Sequence, residues 1–317
     1  MVQVTQVDQQ FTARQVPWAR LGELTEEPVS VEHAIKLSSM DFTVSLRPIQ
    51  RQLSDGSWLE SKHRVMVTAD DTDEEFDVVS KGYSVLQYAE AFDFLSAINP
   101  KISAAGTLKD RRQGFMVVQI PGLEKIDALE FEDAHELYTI VRTSHDRTRA
   151  VECFVMPLRE RCMNMMGLPG LSRTAMNRWS MLHVGDVNNK LTTAEQMIER
   201  IKAYRADFSH TVNRLYSTVL NVEDAHQILK LVVRETKAEK SRRDAAIDKI
   251  IDMWNTRETV AFAGTAWGLV NAIDEYYEWE RSSANRTAHS QMLGALEGTS
   301  RKAMERAVPL ILSRFTA

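Results

Sequence analysis

The chain has 317 residues, enough for one large domain or two ordinary ones, and its 44% hydrophobic and 26% charged content is that of a globular protein. A net charge of −5 excludes a uniformly basic nucleic-acid coat, and no apolar run approaches the 18 or more residues of a membrane span. Two cysteines, Cys153 and Cys162, give no disulfide framework.

The charge is unevenly placed. Six acids lie between Asp70 and Asp77 with no base among them. Between Arg142 and Arg178 there are seven arginines against three acids, and such a local field, more than net charge, steers a polyanion. The N-terminus lacks a basic segment followed by an apolar run, so a cytoplasmic protein is the expectation.

In chain order, residues 1 to 30 read as an irregular arm anchored by Pro17, Trp18, Leu21 and Gly22. Val29 to Met40 reads as a short helix with Ser30 as N-cap. Phe42 to Ile49 and Lys62 to Thr68 alternate around the turn residues Ser54 to Ser57, which predicts a hairpin, and Phe76 to Ser80 adds a third strand after the acidic loop. Tyr88 to Ile98 carries apolar residues at helical spacing and ends at Asn99-Pro100. Strands follow at Lys101 to Leu108 and Gly114 to Ile120, joined by the turn Lys109 to Gln113 with its three bases Lys109, Arg111 and Arg112.

Leu137 to Thr143 and Arg149 to Met156 are rich in β-branched and aromatic residues, and Ser144 to Arg147 supplies a polar turn. A four-residue loop would set Arg142 opposite Arg149, Ile140 opposite Val151 and Tyr138 opposite Cys153. Like charges facing one another weaken a sheet, so this register implies an anion, or a carboxylate from elsewhere, across the two guanidinium groups. Nearby Glu132, Asp133 and Glu136 offer the alternative of internal pairing. Pro157 is expected to end the strand and Leu158 to Met166 to be helical. Residues 167 to 190 read as loop. From Thr192, which forms a capping box with Glu195, the chain is read as almost wholly helical, with Pro309 bending or stopping the last helix. The tryptophans and tyrosines of this half are expected in packing positions.

Catalytic readings are weak. Cys162, His145 and Asp146 could be assembled into a nucleophilic triad, but adjacent side chains on a turn diverge. His135, His145, His183 and Asp186 match no closed zinc spacing, and there is no phosphate-binding glycine loop. A metal-dependent nuclease using His145 and Asp146 is a minor alternative. No cofactor is expected.

The segments VVSKGYSVLQYAEAFDFL (78 to 95), AAGTLKD (104 to 110), RTSHDRTRAVECFVMPLRERCMN (142 to 164) and LHVGDV (182 to 187), with PWARLG (17 to 22), resemble the phage/plasmid-like protein family built on domain of unknown function 932. GTAWGLVNAIDEYYEW (264 to 279) resembles the tail of its longer members. That family usually has glycine after Ser-His-Asp, where this chain has Arg147. The resemblance implies a phage or plasmid origin and the cytoplasm of a bacterial host. The β-β-β-α order is similar, at fold level, to that of phage single-strand annealing recombinases, which act without ATP.

The combined expectation is an α+β fold: an antiparallel sheet with β-β-β-α organisation in a nucleic-acid-binding domain (1–190), then a helical domain for oligomerisation (191–317). The expected function is single-stranded DNA binding and annealing in recombination, without enzymatic chemistry. Arg142, Arg149, Arg159 and Arg161 would contact phosphates, with Arg147, Lys109, Arg111 and Arg112 extending the path. The implied partners are single-stranded DNA, further copies of the chain in a ring or filament, and a phage exonuclease, with no membrane. The alternative is a non-enzymatic interaction protein that engages a host or phage protein.

Overall fold

A computed structural model describes residues 29–127, 134–159, 168, 177–181, 188–233, 240–256, 262–281 and 299–315. Helix α1 (Val31–Leu37) begins where Ser30 accepts a hydrogen bond from the His33 amide, and it buries Val31, Ala34 and Ile35. Strands β1 (Val44–Gln52), β2 (Trp58–Ala69) and β3 (Glu75–Ser80) form an antiparallel three-stranded sheet in the order β1-β2-β3. Helix α2 (Tyr88–Phe92) then runs into a 3-10 turn, Asp93–Ile98, closed by Asn99 in the left-handed conformation with φ 43°. The predicted β-β-β-α order is therefore present.

The second sheet is antiparallel, in the order β4 (Lys101–Leu108), β5 (Gln113–Gln119), β7 (Ala134–Ser144), β8 (Val151–Arg159), β9 (Arg178–Met181), with β6 (Lys125–Asp127) paired to β7. Every residue of β5 and of β8 is buried. On one face Met116, Val118, Leu137, Val141, Cys153 and Val155 join the main core with α2 and the helical half. On the other, Phe115, Val117, Ile140, Phe154 and Met156 form a second cluster, against which Trp279 packs.

Two expectations for the central ribbon need correction. The register places Arg142 opposite Glu152, Val141 opposite Cys153 and Ile140 opposite Phe154, three positions away from the one expected. Opposite charges across a ladder are favourable where the two arginines would have repelled. Nor does Pro157 end the strand, since β8 runs on to Arg159 with Pro157 opposite Leu137. Among the described residues strand β9 pairs only Val151 to Phe154, so the missing amide of Pro157 interrupts none of the ladder described there. The expected helix 158–166 is thus wrong at Leu158 and Arg159, and its remainder lies outside the described residues, as do the arm 1–28, Cys162, His183 and Asp186.

The helical half comprises α3 (Asn188–Ser217), α4 (Val222–Val232), α5 (Lys240–Thr256), α6 (Ala266–Glu275) with a π turn at Tyr276–Glu280, and α7 (Thr299–Arg314). Helix α3 begins four residues before the predicted Thr192. All ten residues of α6 are buried, and Gly268 there admits no Cβ because one would collide with the Phe262 carbonyl. Helix α7 continues to Arg314 through the exposed Pro309. Trp254, Trp267 and Tyr204 are core residues, as the periodicity implied.

Candidate nucleic-acid interface

The sequence places most of its basic candidates on two turns and one ribbon of the second sheet. Arg142 is fully buried; its Nε donates to Glu152 Oε2 at 3.0 Å, and its Nη2 lies at ion-pair distance, 3.0 Å, from the same oxygen. The same carboxylate takes Arg178 at 2.6 Å, and Arg149 Nε lies 3.8 Å from it. The guanidinium groups of Arg142 and Arg178 also lie over the Phe154 ring, at 4.6 and 5.0 Å. The carboxylate expected across Arg142 and Arg149 is therefore Glu152, from β8 itself. Arg159 is fully buried over Phe262, opposite His135, and Arg161 lies outside the described residues.

Arg147 and Arg111 join the two sheets. Arg147 Nε donates to Asp77 at 2.5 Å and Nη2 to the Val78 carbonyl at 3.2 Å. Its φ of 58° is the left-handed conformation that glycine adopts freely, so the arginine here accepts backbone strain and uses its side chain to reach β3. Arg111 donates to Asp71 at 2.6 Å and to Thr72 at 3.2 Å, and its guanidinium lies 3.9 Å over Phe42. Lys109, Asp110 and Arg111 are all left-handed, with φ of 53°, 53° and 63°. The turn is held by Tyr88, whose hydroxyl donates to the Arg111 carbonyl, and by the His145 amide, which donates to the Arg112 carbonyl. The acidic loop is partly engaged by the fold: Asp70 accepts from Ser45, Thr43 and Arg47, and the hydroxyl bonds hold its carboxyl below the usual range.

His145 sits between these anchors. It is buried among Phe42, Phe76 and Tyr88, the last at 4.0 Å between ring centroids, and burial lowers its pKa to about 4. Such an imidazole is a poor general base near neutrality. Asp146 is spent on the Thr148 amide. Cys153 is buried beside Met197 Sδ at 3.8 Å, and burial pushes its thiol up. The described residues contain no group of His, Cys, Asp and Glu arranged to hold a metal.

A different basic surface is open. The β1–β2 hairpin is one-sided near the body, where Val44, Val65, Val67 and Ala69 are buried, but Gln50 to Leu59 is exposed or only half-buried on both faces. Beyond Val65 it projects by roughly 20 Å. Between Pro48 and Gln50 on β1, strand β2 advances from Val65 to Glu60, so Ser61 to Arg64 form a wide bulge opposite Ile49. A bulge re-aims side chains that would otherwise alternate, and here it leaves Lys62, His63 and Arg64 all exposed. Beyond it, Arg51 faces Leu59 and Gln52 faces Trp58, which is 63% exposed. The ribbon's own acids are committed elsewhere, Asp55 to Ser57 within the turn and Glu60 to Lys81 at 2.8 Å. Among the described residues no carboxylate pairs with Arg51, Lys62 or Arg64.

The sequence reading located this hairpin and its turn but assigned it no role. The available signal was the loss of apolar alternation between Ile49 and Lys62 beside a tryptophan, which marks a ribbon with no buried face.

A family model described as domain of unknown function (DUF932) matches residues 75–302. No curated protein and no solved structure shows significant similarity to the chain. With most of its length covered, the chain belongs to this DUF932 family.

Proposed function

Starting from that membership, we propose that the protein binds single-stranded DNA without enzymatic chemistry and anneals complementary strands in ATP-independent recombination, in a phage or plasmid setting. The contact surface is the β1–β2 ribbon, not the arginines of the central ribbon. One observation carries this reading: Arg51, Lys62 and Arg64 stand exposed on a projecting element with no carboxylate partner among the described residues, whereas Arg111, Arg142, Arg147 and Arg178 are bound to carboxylates within the molecule. Exposed cations free of internal partners are what phosphate contacts and counterion release require.

The test is a salt titration with a labelled oligonucleotide. Three phosphate contacts per protomer predict a slope of about −2 in log K against log salt. No binding at low salt, or a slope near zero, overturns the proposal.

A protein partner is the second reading, favoured by the apolar exposure of Trp58 and Leu59 on the same ribbon. A partner that co-purifies and is released by substitution of Leu59, with no DNA binding, would select it.

A further inference from the structure

Within the DNA-binding reading just given, on which this inference rests, we propose that Trp58 is a base-stacking platform and determines preference for single-stranded over duplex nucleic acid. The argument starts from what the ribbon does not use the indole for. Trp254 and Trp267 are buried to within 1% and Trp179 to within 9%, whereas Trp58 leaves 63% of its surface in water at the far end of a hairpin. An aromatic residue of that size gains most of its stabilisation from burial, and here the fold leaves most of its surface uncovered.

Its neighbours fit one class of occupant. Directly across the ladder is Gln52, a neutral side chain that donates and accepts, while the next pair inward, Arg51 with Leu59, points to the opposite face of the ribbon. Further along β2 the bulge displays Lys62, His63 and Arg64. From Trp58 to Arg64 the strand covers about 20 Å, so an unpaired base on the indole leaves the following phosphates within reach of the cations. An aromatic face followed by free positive charge is the combination that holds a single strand without reading its sequence. A duplex keeps its bases stacked on one another and has no free face to offer the indole. An acidic or apolar peptide would meet either the cations or Trp58 and Leu59, but would leave the other set unused.

Trp58→Ala and Trp58→Phe, in the full chain, separate this role from simple charge. The alanine variant is expected to weaken an oligothymidine strand by roughly 5- to 150-fold, the range for loss of one base–aromatic stack, with the salt slope unchanged. Phenylalanine is expected to restore most of the loss, and binding of a hairpin duplex of equal length is expected to be unaffected by either change. The melting temperature serves as the folding control, since the indole packs on nothing in the core. If the wild type binds the strand and Trp58→Ala binds it equally well, or loses single strand and duplex to the same degree, the platform is refuted while the DNA-binding reading stands. A wild type that binds no strand removes both.

Discussion

Glu152 illustrates how a side chain can be misread from its neighbourhood in sequence. Seven arginines between positions 142 and 178 look like a surface for anions, yet one carboxylate holds Arg142 and Arg178 and lies near Arg149 on a buried face. Removing that charge would leave Arg142 buried beside an amide. Glu152→Gln is therefore expected to cost about 3–5 kcal/mol in urea denaturation. His145 gives a second residue-scale expectation. Its folded pKa is depressed to about 4 from an ordinary 6.5, because the Phe42, Phe76 and Tyr88 rings exclude water, while Asp146 opposes the shift. The unfolded chain thus binds the proton first. Stability is full above pH 6.5 and falls as pH drops toward 4, by ~3 kcal/mol from this group alone. Denaturation followed between pH 7 and pH 4 should show this loss, and His145→Phe should flatten it.

At the scale of elements, the projecting ribbon and the last helix make separate predictions. The segment 50–60 contributes nothing to the buried core, so replacing it with a short turn should leave the melting temperature nearly unchanged and weaken oligonucleotide binding, since Arg51 and Trp58 are lost while Lys62 and Arg64 remain. Pro309 lies on the exposed side of α7 and withholds an amide from the helix, so Pro309→Ala should stabilise by up to about 3 kcal/mol in thermal denaturation. Hairpins were legible from sequence because Ser54 to Ser57 and Ser144 to Arg147 carry turn chemistry. The register of β7 with β8 was not, because loop residues alone do not say how many ladder pairs survive next to the turn. Ser144 decides it here, by bonding both the amide and the carbonyl of Arg149 and so drawing that residue into the loop. Strand β9 has four residues and no distinctive pattern, so only its partner β8 reveals it. Pro157 misled because the rule against proline in strands concerns the ladder, and there the described ladder is one-sided.

Across the whole molecule, one hydrophobic core runs from α1 through the second sheet into α7, so the sheets and the helices stabilise one another. The charges divide accordingly. Arg111 and Arg147 tie the turns of the second sheet to Asp71 and Asp77 of the first, and Arg142 is internal, while Arg51, Lys62 and Arg64 stand exposed together on the ribbon. The candidate residues were thus legible as chemistry and not as position, since sequence spacing does not tell which arginine meets a carboxylate after folding. The most direct test compares two charge-reversal variants in one titration with single-stranded oligonucleotide: Arg51→Glu with Lys62→Glu and Arg64→Glu on the ribbon, and Arg111→Glu with Arg147→Glu at the sheet junction. The ribbon variant should lose binding at an unchanged melting temperature, and the junction variant should melt lower yet bind when folded. Binding retained by the first and lost by the fully folded second would return the interface to the central turns.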